Sequence, residues 1–98
     1  MCRAAMTHLK KTEGCIVSVT SIAGLQPMGS SLAFSMAKAA LDALTKDLAK
    51  FHGLVRCNAV APGLVATPWT SAWGDLHTSI AAISPAGGRQ FQRTLQWL

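Results

Sequence analysis

Apolar positions change their rhythm several times along this chain. Cys2, Ala5, Met6 and Leu9 recur at i, i+3, i+4 and i+7, the spacing of one helical face. Lys10 and Lys11 then fall in a last turn, and Gly14 stands just beyond it. The pattern predicts the end of a helix over residues 1–12. From Cys15 the period is lost: Cys15, Ile16, Val17, Ser18, Val19 and Thr20 form a short, β-branched, nearly continuous apolar run. Such a run predicts a strand over 15–20 that is buried on both faces of a parallel sheet. Gly24, Pro27 and Gly29 mark a loop after it.

The helical period returns with Phe34, Leu41, Leu44, Leu48 and Phe51. Ser30 or Ser31 can cap the start, Asp42 and Lys46 make an i, i+4 pair, and Gly53 is a stop, so a helix is expected over 32–52. A second apolar run over 54–61 ends at Pro62 and Gly63 and reads as another strand. A helix of this length between two such strands is a βαβ crossover. Beyond it, Thr67 can cap a helix with Pro68 at its first position. Trp69, Trp73, Leu76, Ile80 and Ile83 keep a helical stripe until Pro85, which predicts a lid helix over 67–84. The two tryptophans either cover a ligand or pack on the sheet. The tail over 85–98 carries Phe91, Leu95 and Leu98 at i, i+4 and i+7, enough for two helical turns.

A length of 98 residues, half of them apolar, bounds this to one small α/β domain. The formal net charge of +5 would suit an anionic partner, but the nine basic residues are spread along the chain with one adjacent pair. That distribution argues against nucleic acid as a partner. No segment is long and apolar enough to predict a membrane span. Cys2, Cys15 and Cys57 have no metal spacing, and His8, His52 and His77 stand far apart, so no metal site is expected. Arg3, Lys10 and Lys11 interrupt any apolar run at the start, so no signal peptide is read and a reducing, cytoplasmic setting is expected. Cys15 and Cys57 read as buried small hydrophobes.

A crossover makes its strands parallel, and open parallel sheets bind ligands outside the carboxyl ends of their strands. Three segments meet at that edge: Thr20 and Ser21, the stretch from Pro62 to Thr67, and the first turns of the crossover helix, with Phe34 and Lys38. Phe34 and Lys38 lie four apart and share a helical face. Taken singly, each has a plainer reading. Lys38 continues a polar face with Asp42 and Lys46, Ser21 closes a strand, and Pro62-Gly63 is a loop.

Taken together, these residues are recognisable. Gly14 to Ser21, the Phe34–Lys38 pair thirteen positions after Ser21, and "RCNAVAPGLVATP" over 56–68 strongly resemble the C-terminal half of a short-chain dehydrogenase/reductase. The resemblance runs from the start of the chain to about Pro85. It implies a partial Rossmann-like, doubly wound parallel sheet with one βαβ unit plus flanking helices. It also implies NAD- or NADP-dependent oxidoreduction of a small alcohol or carbonyl compound by hydride transfer. A serine at the Ser21 position binds the substrate oxygen. A lysine at the Lys38 position holds the nicotinamide ribose and lowers the pKa of a neighbouring tyrosine. The loop matching Pro62, Gly63, Val65 and Thr67 approaches the nicotinamide, with Thr67 near its carboxamide.

Two departures bear on activity. Phe34 occupies the position of the family's proton-transferring tyrosine and has no ionisable group, while Ser35 points about 100° away around the helix. The family's glycine-rich phosphate turn, its residue selecting between NAD and NADP, and a relay asparagine would lie before Met1. The expectation is a truncated relative, inactive alone, that binds cofactor weakly. The family often dimerises through its long helices, here 32–52, so a homo- or hetero-oligomer is expected there. Two other readings stay open. One is a non-catalytic module that pairs with full-length relatives through that helix. The other is a gene fragment without selected function, to which the unrelated tail Arg89–Leu98 points.

Overall fold

The computed structural model describes residues 1–26, 31–65, 67–83 and 95–96. Its elements are, in order, α1 (Cys2–Thr12), β1 (Cys15–Val19), a 3₁₀ turn (Ile22–Gly24), α2 (Leu32–Phe51), β2 (Arg56–Val60), a second 3₁₀ turn (Ser71–Trp73), α3 (Gly74–Ile83) and β3 (Leu95–Gln96). β1 and β2 pair in parallel, from Cys15↔Arg56 to Val19↔Val60, and α2 makes the crossover between them. The fold is thus α/β, a partial Rossmann-like unit with flanking helices. β3 adds to the other side of β2 in antiparallel register, Ala59↔Gln96 and Val60↔Leu95, giving the order β1-β2-β3. Leu95 and Gln96 are therefore extended where a helical turn was expected; the rest of the 85–98 tail lies outside the described residues.

α2 begins where Ser31 adopts an extended conformation and its Oγ accepts the Phe34 N–H at 3.2 Å. That cap satisfies one of the orphan donors of the first turn. Leu48 and Ala49 on its inner face pack with Leu9 and Ile16 around Met6, Val55 and Cys57, which form the core. Asp42 also turns inward and is buried, leaving its Oδ2 without a hydrogen-bond partner, while Lys46 is exposed. The expected Asp42–Lys46 surface pair is therefore not formed: the two side chains lie on different sides of the helix boundary with solvent.

β1 departs from its expectation more sharply. Its burial alternates, and Val17 and Val19 are 59% and 60% exposed. The apolar run predicted cover on both faces, but α2 and the core lie on the side of Ile16 and Cys57 only. Cys15 points to the open side and is exposed, whereas Cys57 is buried, so only the second behaves as a packed hydrophobe.

Helix α1 ends on Glu13 rather than on Gly14. Glu13 sits in the left-handed region at φ 50°, and its N–H reaches Leu9 O. The Gly14 N–H closes on the same carbonyl at 2.9 Å. A side chain in this conformation is strained, and glycine relieves it. Glu13→Gly is therefore expected to raise stability by about 0.5–1 kcal/mol, read as a higher urea midpoint at unchanged slope.

The predicted helix over 67–84 starts late, at Gly74. The Thr70 N–H donates to Thr67 O at 3.0 Å and the Thr67 N–H to Thr70 Oγ1 at 3.0 Å, closing a tight turn where helical i+4 bonds were expected. Thr70 Oγ1 also donates to Val65 O at 2.7 Å. Thr67 still caps, with its Oγ1 accepting the Thr70 N–H at 3.3 Å, but what it caps is this turn. Residue 84 lies outside the described residues.

Candidate functional site

The carboxyl ends of β1 and β2 are tied together by Thr20. Its N–H donates to Val60 O at 2.8 Å and its Oγ1 to the same carbonyl at 3.3 Å. One step on, the Ile22 N–H reaches Pro62 O at 3.2 Å. These bonds hold the two post-strand segments side by side, which is how a strand-end mouth forms in a parallel sheet. The mouth opens into a cavity of about 1090 Å³ lined by Ser21, Phe34 and Lys38 from one side. Pro62, Gly63, Val65 and Thr67 line it from the other. All seven residues singled out in the sequence thus border one space.

Ser21 caps the first 3₁₀ turn, its Oγ accepting the Ala23 N–H at 3.2 Å. That contact uses an oxygen lone pair and leaves the hydroxyl proton for a donor role. Lys38 is half-buried, and its Nζ donates to Val19 O at 3.0 Å. The same ammonium lies 5.7 Å from the centroid of the Phe34 ring, within cation–π range. The ring and the cation therefore do meet across one helical turn, but the ring offers a π-face and no proton.

The outer wall carries Trp69 and Trp73. Their ring centroids are 5.1 Å apart at an interplanar angle of 62°, an edge-to-face pair. Both line the cavity, where Trp69 is 67% exposed and Trp73 half-buried.

Sequence reasoning missed Thr70 and the Val19 carbonyl. Thr70 is buried at 4% exposure and ties the loop from Val65 to Thr67 into one turn. Its signal was present as a second threonine three after Thr67, a spacing at which hydroxyls close turns on themselves. The Val19 carbonyl has no side-chain signature, since any residue supplies it.

Cys57 is the titratable group whose environment is distinctive. Burial, with smaller contributions from Cys2 and Cys15, pushes its thiol above the ordinary value, so it stays protonated at neutral pH and is a poor nucleophile. Among the described residues no group of histidine, cysteine or carboxylate side chains could hold a metal, and no helix is long and apolar enough to cross a membrane.

Comparison with known proteins adds the following. A family model described as enoyl-(acyl carrier protein) reductase matches residues 1–90. Ketoacyl reductase 2 of the granaticin polyketide synthase, as that Streptomyces violaceoruber protein is named, is 49% identical over 69 residues, covering 68% of this chain and 28% of the relative. A short-chain dehydrogenase/reductase homolog of Bacillus subtilis, YusR, is 46% identical over 71 residues, covering 68% of this chain and 54% of the relative. Meso-2,3-butanediol dehydrogenase of Serratia marcescens is 42% identical over 71 residues, covering 70% and 28%. The chain thus spans between about a quarter and about half the length of these curated relatives.

Proposed function

Because this chain belongs to the short-chain dehydrogenase/reductase family, we propose that its cavity is the nicotinamide and substrate end of an oxidoreductase site that binds ligand but, alone, does not turn it over. The convergence of Ser21, Lys38 and the 62–67 loop on one cavity is the observation that carries this reading. Ser21 donates its hydroxyl proton to the oxygen of a small alcohol or ketone. Relatives named for a ketoacyl group and for butanediol support that substrate class.

The residues fit the nicotinamide end of NAD or NADP. Lys38 spends one N–H on Val19 O and keeps the others for ribose hydroxyls. Pro62, Gly63, Val65 and Thr67 line the cavity; the backbone of the first three would form the wall for the nicotinamide, and Thr67 would hold its carboxamide. When bound, the cofactor supplies the hydride. Phe34 stands where the substrate proton would be given or taken, and its ring cannot do either. In this reading the chain corresponds to the C-terminal half of its longer relatives, works in the cytoplasm, and keeps Cys2, Cys15 and Cys57 as free thiols.

Titration with NADH and NADPH, followed by tryptophan quenching, tests the reading. Weak saturable binding is expected, with dissociation constants of roughly 0.1–1 mM, and Lys38→Met should weaken it about tenfold. A folded chain that shows no saturable quenching would overturn it.

A second reading, an interaction module that pairs through α2, is favoured by the apolar residues that helix leaves open. Leu32, Met36 and Phe51 are 78%, 62% and 70% exposed. Leu44 belongs with them, whereas Leu48 packs into the core.

A further inference from the structure

Of the residues that line the cavity, two carry charge, Lys38 and Asp75. Lys38 is turned toward Val19 O and the Phe34 ring, and in the reading above it holds the cofactor ribose. Asp75 has no part in that reading. It follows Trp73 by two residues, in the first turn of α3, and is exposed. Among the described residues no cation pairs with it. The N-terminal dipole of α3 accounts for a carboxylate in that turn, but not for one that borders a cavity.

The wall that Asp75 shares is aromatic. Trp69 and Trp73 meet at 5.1 Å and 62°, and Trp69 keeps 67% of its surface open. Indole is the side-chain ring whose face attracts a cation most strongly, and this attraction persists at exposed sites. A carboxylate on the same wall adds a Coulomb attraction that salt weakens. A neutral substituent gains from neither, and an anionic one is repelled by Asp75. Indole rings with a carboxylate beside them are the chemistry that takes an alkylammonium group.

Resting on the reading of this cavity as an alcohol or ketone site, we infer that its ligand carries a cationic nitrogen. The class is an amino alcohol or amino ketone, with its oxygen at the Ser21 hydroxyl and its ammonium group against Trp69 and Asp75. Lys38 and Ser21 keep the roles given above. The cation stands on the outer wall, which Trp69 and Trp73 form and Lys38 does not.

The probes are choline, whose quaternary ammonium is charged at every pH, and 3,3-dimethyl-1-butanol, the same alcohol with carbon in place of that nitrogen. Each is titrated into the 98-residue chain, and the indole N–H resonances of Trp69 and Trp73 report binding. Choline is expected to bind about tenfold more tightly than its neutral isostere, the sum of a cation–π contact and one exposed ion pair. Asp75→Asn should cut that margin to about threefold, and added salt should cut it in the same direction. Trp69→Ala should lower it as well, by about threefold. Equal affinity for the two alcohols, or a margin that either substitution leaves unchanged, overturns the inference and leaves the cavity a ligand site. If the chain binds neither alcohol but still binds NADH, the inference alone fails. If it binds none of the three, the reading of the cavity fails with it.

Discussion

Phe34→Tyr, tested with this chain joined to the upstream half of a longer relative, is expected to raise turnover of a simple ketone with NADPH or NADH by about 10²- to 10⁴-fold over the same joined chain with Phe34, the usual contribution of a placed general acid. The geometry favours this because the Lys38 ammonium is already 5.7 Å from the ring centroid and is held there by the Val19 carbonyl. A phenol on that ring would ionise beside a fixed positive charge. Its pKa should fall about one to three pH units below the ordinary phenol value of ~10, since an opposite charge at this range favours the ionised form. The sequence contains no tyrosine, so near-ultraviolet titration of the 98-residue variant reads this one phenol directly, with or without turnover. Combining Phe34→Tyr with Lys38→Met should return the titration to the ordinary range. An introduced phenol that titrates near ~10 while Lys38 is intact, with turnover also unchanged, would remove Phe34 from the position of a lost proton donor.

The two readouts separate position from catalysis. Ionisation depends on the distance between the ring and Lys38, which the i, i+4 spacing of α2 and the Val19 carbonyl of β1 set together. Turnover needs Ser21 and the cofactor as well, and these reach the cavity from other elements. A shifted titration without a gain in turnover would locate the fault outside the Phe34–Lys38 pair.

The parts of this molecule that were legible in the sequence are those governed by local spacing. The crossover helix, the two strands it joins and the meeting of Ser21, Phe34, Lys38 and the 62–67 loop at one mouth all follow from period, caps and the rule that parallel strands end together. What stayed hidden depends on what covers what. The run from Ile16 to Val19 has the composition of a strand covered on both sides, yet Val17 and Val19 lie open, because composition records preference and not the presence of a neighbour. Asp42 spaced to Lys46 fits a surface pair, but the helix is rotated so that Asp42 faces inward. The start of α3 was misplaced because Thr67-Pro68 has the grammar of a helix cap, while Thr70 closes the segment on itself and Gly74 begins the helix.

The Ser21–Lys38 juxtaposition depends on one close approach, and Gly24→Ala is expected to break it. A Cβ at residue 24 would lie 2.8 Å from both Ala39 N and the Lys38 carbonyl carbon and 3.1 Å from Lys38 O. These are backbone atoms of a helix, so no rotamer change makes room, and the 3₁₀ turn must lift away from α2. Overpacking of this kind costs about 1–3 kcal/mol, a sizeable share of the roughly 5–15 kcal/mol that holds a small domain together. The urea midpoint should fall accordingly. Because Ser21 caps that same turn, its hydroxyl should move away from Lys38, and NADH binding should weaken beyond what the lost stability explains. Gly53→Ala is the control: nothing lies within 4 Å of a Cβ there and its φ is not in the left-handed region, so stability should hold or rise by up to about 1 kcal/mol. If Gly24→Ala instead matches that control in both midpoint and binding, the turn does not press against α2, and the placement of Ser21 opposite Lys38 has another cause.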